Sequence, residues 1–258
     1  MPSTDNGNVT FSKSSNGIAT ISFSHPAQNS LPTVLLNDLA GYITQMGNDP
    51  EVKVIILKSG GDRTFCAGAS FDELVEIKDK ETGALFFSGF AKVINACRKS
   101  SKIIVARVQG KAVGGGVGLA AAADYCLASS FASIKLSELA IGIGPFVISP
   151  AVTRKVGLSA FSQLTIRASD FQTAQWAHEH GLYNDVYEDT ASLDSAVVEL
   201  TEKLASYNPD ALAGLKQILW EGTEDWDELL TQRAAISGEL VLSEFTQQAL
   251  QRFLSGNR

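Results

Sequence analysis

Residues Gln109–Asp124, which read QGKAVGGGVGLAAAAD, decide how the rest of the chain is interpreted. A run of apolar residues typical of a buried strand, Ile103–Val108, leads directly into Gly114, Gly115 and Gly116 and then into an alanine-rich segment. Leucine and alanine favour helices, so the glycines lie where a helix is expected to begin. The first amides of a helix have no partner within it, and together with the helix dipole they favour an anion or a developing oxyanion. Small residues also let a helix pack closely against a sheet, and this stretch alone leaves both interpretations open.

A second stretch has the same design. Phe65–Ser70, FCAGAS, follows another apolar run, Val52–Leu57, and again ends in small residues before a helical start at Ser70. Glu73 stands three positions further on, as in a capping box. Two strand-to-helix turns of this kind can each direct one backbone amide at the same carbonyl oxygen, and such a pair of donors is an oxyanion hole.

The segments FCAGASFDEL and GKAVGGGVGLAAAAD, in this order and at this separation, resemble the two oxyanion turns of the crotonase family, which contains the enoyl-CoA hydratases and isomerases. The resemblance extends from about Asn8 to the C-terminus. It implies an α/β fold with a spiral core of ββα turns and a C-terminal helical appendage. It also implies that the amides of Ala69 and Gly115 bind the thioester oxygen of an acyl-CoA, which is a substrate rather than a bound cofactor. The residues that it places near the CoA or acyl group are Arg63, Ala67, Gly68, Ser70, Gly114, Gly118 and Phe146.

The residue best suited to chemistry is Glu138, in the segment LSELAIGIGPF. Its apolar neighbours Leu136 and Leu139 favour partial burial, which raises the pKa of a carboxyl group and suits it to proton transfer near neutral pH; an exposed loop glutamate is the alternative. By the resemblance, Glu138 matches one of the two glutamates of the enoyl-CoA hydratases. The position of the other is occupied by Gly118, so this chain departs from the two-carboxylate pattern.

One carboxylate is enough to remove a proton from one carbon and return it to another. The resemblance therefore favours a Δ3,Δ2-enoyl-CoA isomerase, in which Glu138 takes the α proton and the two amides stabilise the enolate. The loop Asn29–Leu31 and the segment Ile143–Phe146 also resemble isomerases. Candidates for the lining of the acyl pocket are Phe71, Leu74, Phe86, Phe90 and Phe146.

Four other functions stay open at this point. One is hydration by Glu138 alone, including hydration of branched substrates such as methylglutaconyl-CoA, with Gly118 leaving space for the water. Another is a non-catalytic acyl-CoA-binding or RNA-associated module. A dehalogenase is less favoured because the position of its aspartate nucleophile holds Phe146. Gly116 and Gly118 also fit the dinucleotide fingerprint, with Glu138 as the following acid, but this motif lies deep in the chain behind a second matching turn.

Composition limits the class of protein. The chain has 258 residues, of which 45% are hydrophobic and 19% charged, as expected for one large domain or a domain with an appendage. A net charge of −7 argues against a broad nucleic-acid surface. We expect no membrane span and, from the polar start MPSTDNGNV, a cytoplasmic protein. The three cysteines and three histidines form no metal-binding pattern, so we predict no metal site.

Strand and helix patterns alternate through the first half of the chain, which favours a mostly parallel sheet covered by helices. An Asn-Gly turn at residues 16–17 joins two alternating runs and predicts a hairpin. From Val147 onward the patterns are mainly helical and include helices at 150–156 and 159–168. We therefore predict a core with the acyl-CoA site at 1–200 and a C-terminal helical region at 201–258. The resemblance implies that the latter region forms a homotrimer or a dimer of trimers.

Overall fold

The computed structural model describes residues 6–254; residues 1–5, at the polar start of the chain, and residues 255–258 lie outside it. The strands are β1 (Asn8–Lys13), β2 (Ile18–Ser24), β3 (Val54–Ser59), β4 (Thr64–Cys66), β5 (Ile103–Val108), β6 (Lys111–Val113), β7 (Tyr125–Ser129), β8 (Ile134–Lys135) and β9 (Asp185–Tyr187). The helices are α1 (Thr33–Asn48), α2 (Phe71–Val75), α3 (Lys80–Lys99), α4 (Gly115–Ala122), α5 (Ser149–Ile166), α6 (Ala174–Glu179), α7 (Thr190–Ser206), α8 (Pro209–Leu219), α9 (Trp226–Leu240) and α10 (Glu244–Leu254). A short 3-10 helix covers Glu138–Ile141.

The larger sheet has the strand order β1-β2-β3-β5-β7-β9. The first two strands form the predicted antiparallel hairpin, and every later pair is parallel. All six residues of β5 are buried, as expected for a parallel strand that is covered on both faces. The strand predicted from Val52 instead begins at Val54, because the Val52 N–H closes a turn on the Asp49 carbonyl.

The smaller sheet has the strand order β4-β6-β8. Its strands have two or three residues each, which is too short to show the alternation that identifies a strand in sequence. Three successive units each give one strand to the larger sheet, one to the smaller sheet and then a helix: β3 with β4, β5 with β6, and β7 with β8. This repeated ββα succession confirms the predicted fold class.

The C-terminal helices pack against the sheet core. Trp220, Trp226, Leu230 and Ala234 belong to the same buried cluster as the larger sheet. The two helices predicted at 150–156 and 159–168 are present as the two halves of α5, which is kinked at Gly157, whose φ of +75° is not helical. The division at residue 200 and the trimer-forming role of the last region stay predictions.

Helices α3 and α9 pack closely against each other, and residues of both line one side of a cavity. A Cβ built on Gly83 of α3 would lie 2.8 Å from the Cα of Gly238 in α9, so both positions need glycine at this contact. The close approach brings Ser237, next to Gly238, to the cavity wall. Within residues 6–254, none of the helices is both long and apolar enough to cross a bilayer.

Candidate active site

A cavity of about 160 Å³ opens between the turn before α2, the start of α4 and the 3-10 helix. Its wall contains the sequence-predicted residues Ala67, Gly68, Ala69, Gly114, Gly115, Glu138 and Phe146. The five predicted lining residues Phe71, Leu74, Phe86, Phe90 and Phe146 all lie on it as well. The structure therefore brings both glycine turns and the candidate acid to one apolar space.

The first turn presents the amide of Ala69. Ala69 forms a short parallel bridge with Leu31, whose N–H donates to the Gly68 carbonyl at 2.8 Å and whose carbonyl accepts from the Ser70 N–H at 3.2 Å. In such a bridge the groups of the bridged residue itself point to the opposite side of the chain. Among the described residues the Ala69 N–H makes no hydrogen bond, so it is an available donor in the cavity wall.

The second turn presents the amide of Gly115, the first residue of α4. Gly114 before it has φ +53° and ψ −119°, a backbone conformation that residues with a side chain rarely adopt. The Gly115 N–H also has no hydrogen-bond partner within residues 6–254, as expected for the first amide of a helix. A Cβ built on Gly68 would lie 3.6 Å from the Gly115 nitrogen, so the two turns lie side by side.

The carboxyl group of Glu138 lies against the second turn. A Cβ built on Gly114 would be 2.7 Å from Glu138 Oε1, so this glycine lets the acid approach the main chain. Oε2 is buried and has no hydrogen-bond partner in the described part of the chain. Burial raises the pKa of the Glu138 carboxyl from 4.5 to about 7, although a hydrogen bond from its own backbone N–H opposes the rise. Glu138 is therefore partly buried, with one carboxylate oxygen fully buried, and the alternative of an exposed loop glutamate is wrong.

Two phenylalanine rings close the space around these groups. The ring of Phe90 lies directly over Gly115, and the ring of Phe146 lies over Gly144; a Cβ at either glycine would overlap the ring. Larger side chains are therefore excluded beside the Gly115 amide. The resulting wall is largely apolar, and of the described residues that line it Glu138 is the ionisable one.

Gly118 is not brought to the cavity. It is buried in α4, and a Cβ at this position would overlap Ile148, which itself lies on the cavity wall. Ile148 thus fills the place that a second carboxylate side chain would need. The expectation that Gly118 leaves space for a water is wrong, because this isoleucine occupies that space.

Arg63 and Ser70 also lie away from the cavity. Arg63 is exposed on a separate depression that it shares with Gln28, Asn29 and Gly61. Ser70 is buried as the N-cap of α2, where its hydroxyl accepts from the Glu73 N–H at 3.3 Å. A direct contact of either side chain with the acyl group has no support in this geometry.

Sequence reasoning missed Ile148 and Ser237 as wall residues. Ile148 lies in the turn before α5 and Ser237 lies in α9, both far along the chain, and neither carries a motif. Only the packing of α5 and α9 against the core brings them to the site. The described residues contain no group of three or more His, Cys, Asp or Glu side chains that could hold a metal ion.

Comparisons with known proteins agree with this geometry. The sequence model of the enoyl-CoA hydratase/isomerase family matches residues 13–255. A short-chain-enoyl-CoA hydratase of Clostridium acetobutylicum is 31% identical over 92% of this chain and 91% of its own length. A peroxisomal Delta(3,5)-Delta(2,4)-dienoyl-CoA isomerase of Arabidopsis thaliana is 28% identical over 70% of this chain and 69% of its own length.

Solved structures give the same result for the fold. An enoyl-CoA hydratase from Mycobacterium avium superposes with a TM-score of 0.83 at 26% identity, covering 96% of each chain. An enoyl-CoA hydratase from Bacillus halodurans superposes with a TM-score of 0.87 at 21% identity over 94% of this chain and 98% of its own. This chain belongs to the enoyl-CoA hydratase/isomerase family of the crotonase superfamily and is an enzyme of that hydratase/isomerase type.

Proposed function

We propose that the protein shifts a carbon–carbon double bond in an acyl-CoA thioester, as a Δ3,Δ2-enoyl-CoA isomerase with Glu138 as its single proton carrier. The observation that carries the proposal is the arrangement on one apolar cavity wall. The Glu138 carboxyl group, whose pKa is raised, lies there with the Ala69 and Gly115 N–H groups, which have no hydrogen-bond partner among the described residues. A CoA thioester is the substrate of this family, and no separate cofactor enters the reaction.

The reaction needs only groups on this wall. The thioester oxygen of a 3-enoyl-CoA accepts hydrogen bonds from the Ala69 and Gly115 N–H groups. Glu138 removes a proton from the carbon α to the carbonyl, and the electron pair delocalises into a dienolate. The protonated carboxyl group then returns a proton to the γ carbon, which leaves the double bond conjugated with the carbonyl.

The electrostatics of the site support both steps. Negative charge develops on the thioester oxygen, and one preorganised donor of this kind typically lowers the barrier by about 3–4 kcal/mol. A carboxyl pKa of about 7 makes Glu138 a stronger base than an exposed glutamate and lets it give the proton back near neutral pH. The apolar wall keeps bulk water from competing for the dienolate.

The packing at Gly118 favours proton shuttling over hydration. Two carboxylates let a hydratase activate a water and deliver a proton, but Ile148 fills the place of the second one. Its side chain offers no hydrogen bond to a water at that position. A single carboxylate in an apolar cavity is sufficient for the isomerisation.

Hydration by Glu138 alone is the second candidate. It is favoured by the names of the relatives, because the C. acetobutylicum protein at 31% identity is a short-chain-enoyl-CoA hydratase. The same two amides and the same glutamate would serve it. This candidate function includes substrates with branched and with unbranched acyl chains.

The remaining assignments belong to the same proposal. Arg63, exposed at the mouth of its own depression, is proposed to contact the CoA phosphates rather than the acyl group. A cytoplasmic location is part of the same proposal. So is a homotrimer or dimer of trimers, which is supported by the apolar side chains that the last region exposes on the single chain.

The test is a panel of 2-enoyl- and 3-enoyl-CoA esters, scored separately for conjugation of the double bond and for addition of water by mass. We expect 3-enoyl esters to be conjugated, and Glu138→Gln to lower kcat about 100-fold or more, because general-base catalysis typically contributes that much. Glu76→Gln is the matched control, since Glu76 is an exposed glutamate outside the cavity.

Three results would decide against the assignment. Near-normal turnover of Glu138→Gln would remove Glu138 from the chemistry. Addition of water without any conjugation of 3-enoyl esters would establish the hydratase instead. Equal losses in Glu138→Gln and Glu76→Gln would show that the effect is not specific to the cavity.

A further inference from the structure

The turn that carries Ala69 is fixed by the N-terminal segment of the chain rather than by its own helix. Helix α2, which follows this turn, has only five residues. Leu31 holds both sides of Ala69, through the Gly68 carbonyl at 2.8 Å and the Ser70 N–H at 3.2 Å. The direction of the Ala69 N–H therefore depends on where the segment around Leu31 lies.

The segment before Leu31 is itself anchored. Gln28 and Asn29 both have φ +56°, a left-handed conformation that is uncommon in residues other than glycine. The side-chain Nδ2 of Asn29 donates to the carbonyls of Gly60 at 2.8 Å and Thr64 at 2.7 Å. These bonds join the loop to the strand that leads into the first turn.

The segment after Leu31 is joined to α2 by one carboxylate. Helix α1 begins at Thr33, and Pro32 before it supplies no side-chain cap, so the Thr33 N–H needs a partner from elsewhere. Glu73 of α2 supplies it: its Oε2 accepts from the Thr33 N–H at 2.9 Å and from the Thr33 hydroxyl at 2.6 Å. A carboxylate is favoured there because the helix dipole is positive at its N-terminus.

Glu73 connects the turn to the segment after Leu31 through its backbone and its side chain. Its backbone N–H donates to the hydroxyl of Ser70, next to Ala69, and its side chain crosses to Thr33, two residues after Leu31. The contacts form a closed loop, because Leu31 is hydrogen-bonded to Gly68 and Ser70 while Glu73 is hydrogen-bonded to Ser70 and Thr33. Displacement of α2 relative to α1 would therefore rotate the Ala69 amide.

We propose that Glu73 is a positioning residue for the oxyanion hole, which it serves by fixing the Ala69 N–H toward the thioester oxygen without contacting the substrate. This inference rests on the proposed role of Ala69 in the function above, but not on whether the reaction is isomerisation or hydration. Both reactions polarise the same carbonyl.

The test compares Glu73→Ala with Glu76→Ala. Both remove one carboxylate from the α2 region, but Glu76 is exposed and its ion pair, with Lys78 at 3.8 Å, is on the surface. We expect Glu73→Ala to lower kcat between about tenfold and 100-fold, because small misplacements of a catalytic group cost that much, whereas Glu76→Ala keeps the wild-type rate. Glu73→Gln retains an oxygen acceptor for Thr33 and should recover most of the rate.

A spectroscopic measurement separates positioning from general loss of stability. Infrared difference spectra of a bound saturated acyl-CoA, with and without a carbon-13 label at the thioester carbonyl, report how strongly the amides polarise it. We expect a lowered carbonyl frequency in the wild type and in Glu76→Ala, and a partial return toward the free-ligand value in Glu73→Ala. The ligand does not react, so the result does not depend on which reaction is catalysed.

The outcomes are distinguishable. A folded Glu73→Ala with wild-type carbonyl frequency and rate would overturn the inference, as would equal changes in the two alanine variants. Should Glu73→Ala not fold, Glu73→Asp keeps the charge but shortens the side chain by one methylene, which withdraws the carboxylate from both Thr33 donors, and an unchanged carbonyl frequency in that variant overturns the inference instead. The absence of any frequency change in the wild type would contradict the oxyanion hole itself, and with it the proposed function.

Discussion

At the scale of single residues, the site depends on two glycines that have no side chain where other groups of the site must lie. At Gly114 the missing side chain gives the Glu138 carboxyl its place, and at Gly115 it gives the Phe90 ring its place. The carboxyl group is consequently held next to the second amide in surroundings that solvate its charge poorly. Such surroundings raise the pKa of an acid and make its carboxylate form the better base.

This environment predicts how the reaction depends on pH. Only the carboxylate form of Glu138 can remove a proton, and its raised pKa of about 7 means that half of this form is lost at that pH. We expect kcat/KM for a 3-enoyl-CoA to rise about tenfold per pH unit well below pH 7 and to level off above it. Residual activity of Glu138→Gln should lack this inflection. A profile with its inflection near 4.5, or one that falls as pH rises through 7, would contradict the assignment.

At the scale of secondary-structure elements, the sequence predicted the parts that local pattern determines. The strand β5, the glycine start of α4 and the hairpin of β1 and β2 all follow from apolar runs and turn residues. The cavity-facing position of Glu138 was left open, because burial of a short 3-10 segment depends on what packs over it. Gly118 lies in α4 and Ile148 lies in the turn before α5, 30 positions further along the chain, and no local pattern encodes their contact.

Another contact between distant elements carries part of the stability. Asp124, directly after α4, and Lys216 of α8 form an ion pair at 2.7 Å, and each side chain is only 2% exposed. The carboxylate also accepts from the Trp220 indole N–H at 2.7 Å and from the Ile104 N–H at 2.7 Å. All these donors bind one buried carboxylate, so the ion pair of Asp124 and Lys216 connects the C-terminal helices to the sheet.

Removing one partner of this pair is expected to be costly. Lys216→Met leaves the Asp124 charge buried without its cation, and the free energy of unfolding should fall by about 3–5 kcal/mol. The control is Lys203→Met, which breaks an exposed pair with Glu199 within α7 and should cost less than about 0.5 kcal/mol. Urea unfolding at pH 7 and one fixed protein concentration measures both. Similar losses of unfolding free energy in the two variants would show that the buried pair stabilises the fold no more than the exposed pair does.

At the scale of the whole molecule, the single chain leaves apolar surface uncovered on α8. Leu215, Ile218 and Leu219 are 47%, 62% and 42% exposed, and their spacing places them on one face of the helix. Leu212 and Lys216 of α8 are buried in the interior. A helix that exposes apolar side chains beside its buried ones is expected to contact another protein surface.

We expect the proposed trimer to cover this surface, because the exposed residues lie in the region predicted to assemble, 201–258. We expect sedimentation velocity to give a mass of three or six chains for the wild type, and Ile218→Glu to shift it toward one chain because a carboxylate would be buried at the contact. Val198→Glu is the control: Val198 is 52% exposed on α7, outside the predicted region, and the same substitution there should leave the assembly intact. A wild type that sediments as a single chain would remove the trimer. Dissociation by Val198→Glu but not by Ile218→Glu would move the contact to α7, since the substituted charge disrupts assembly only where the two copies meet.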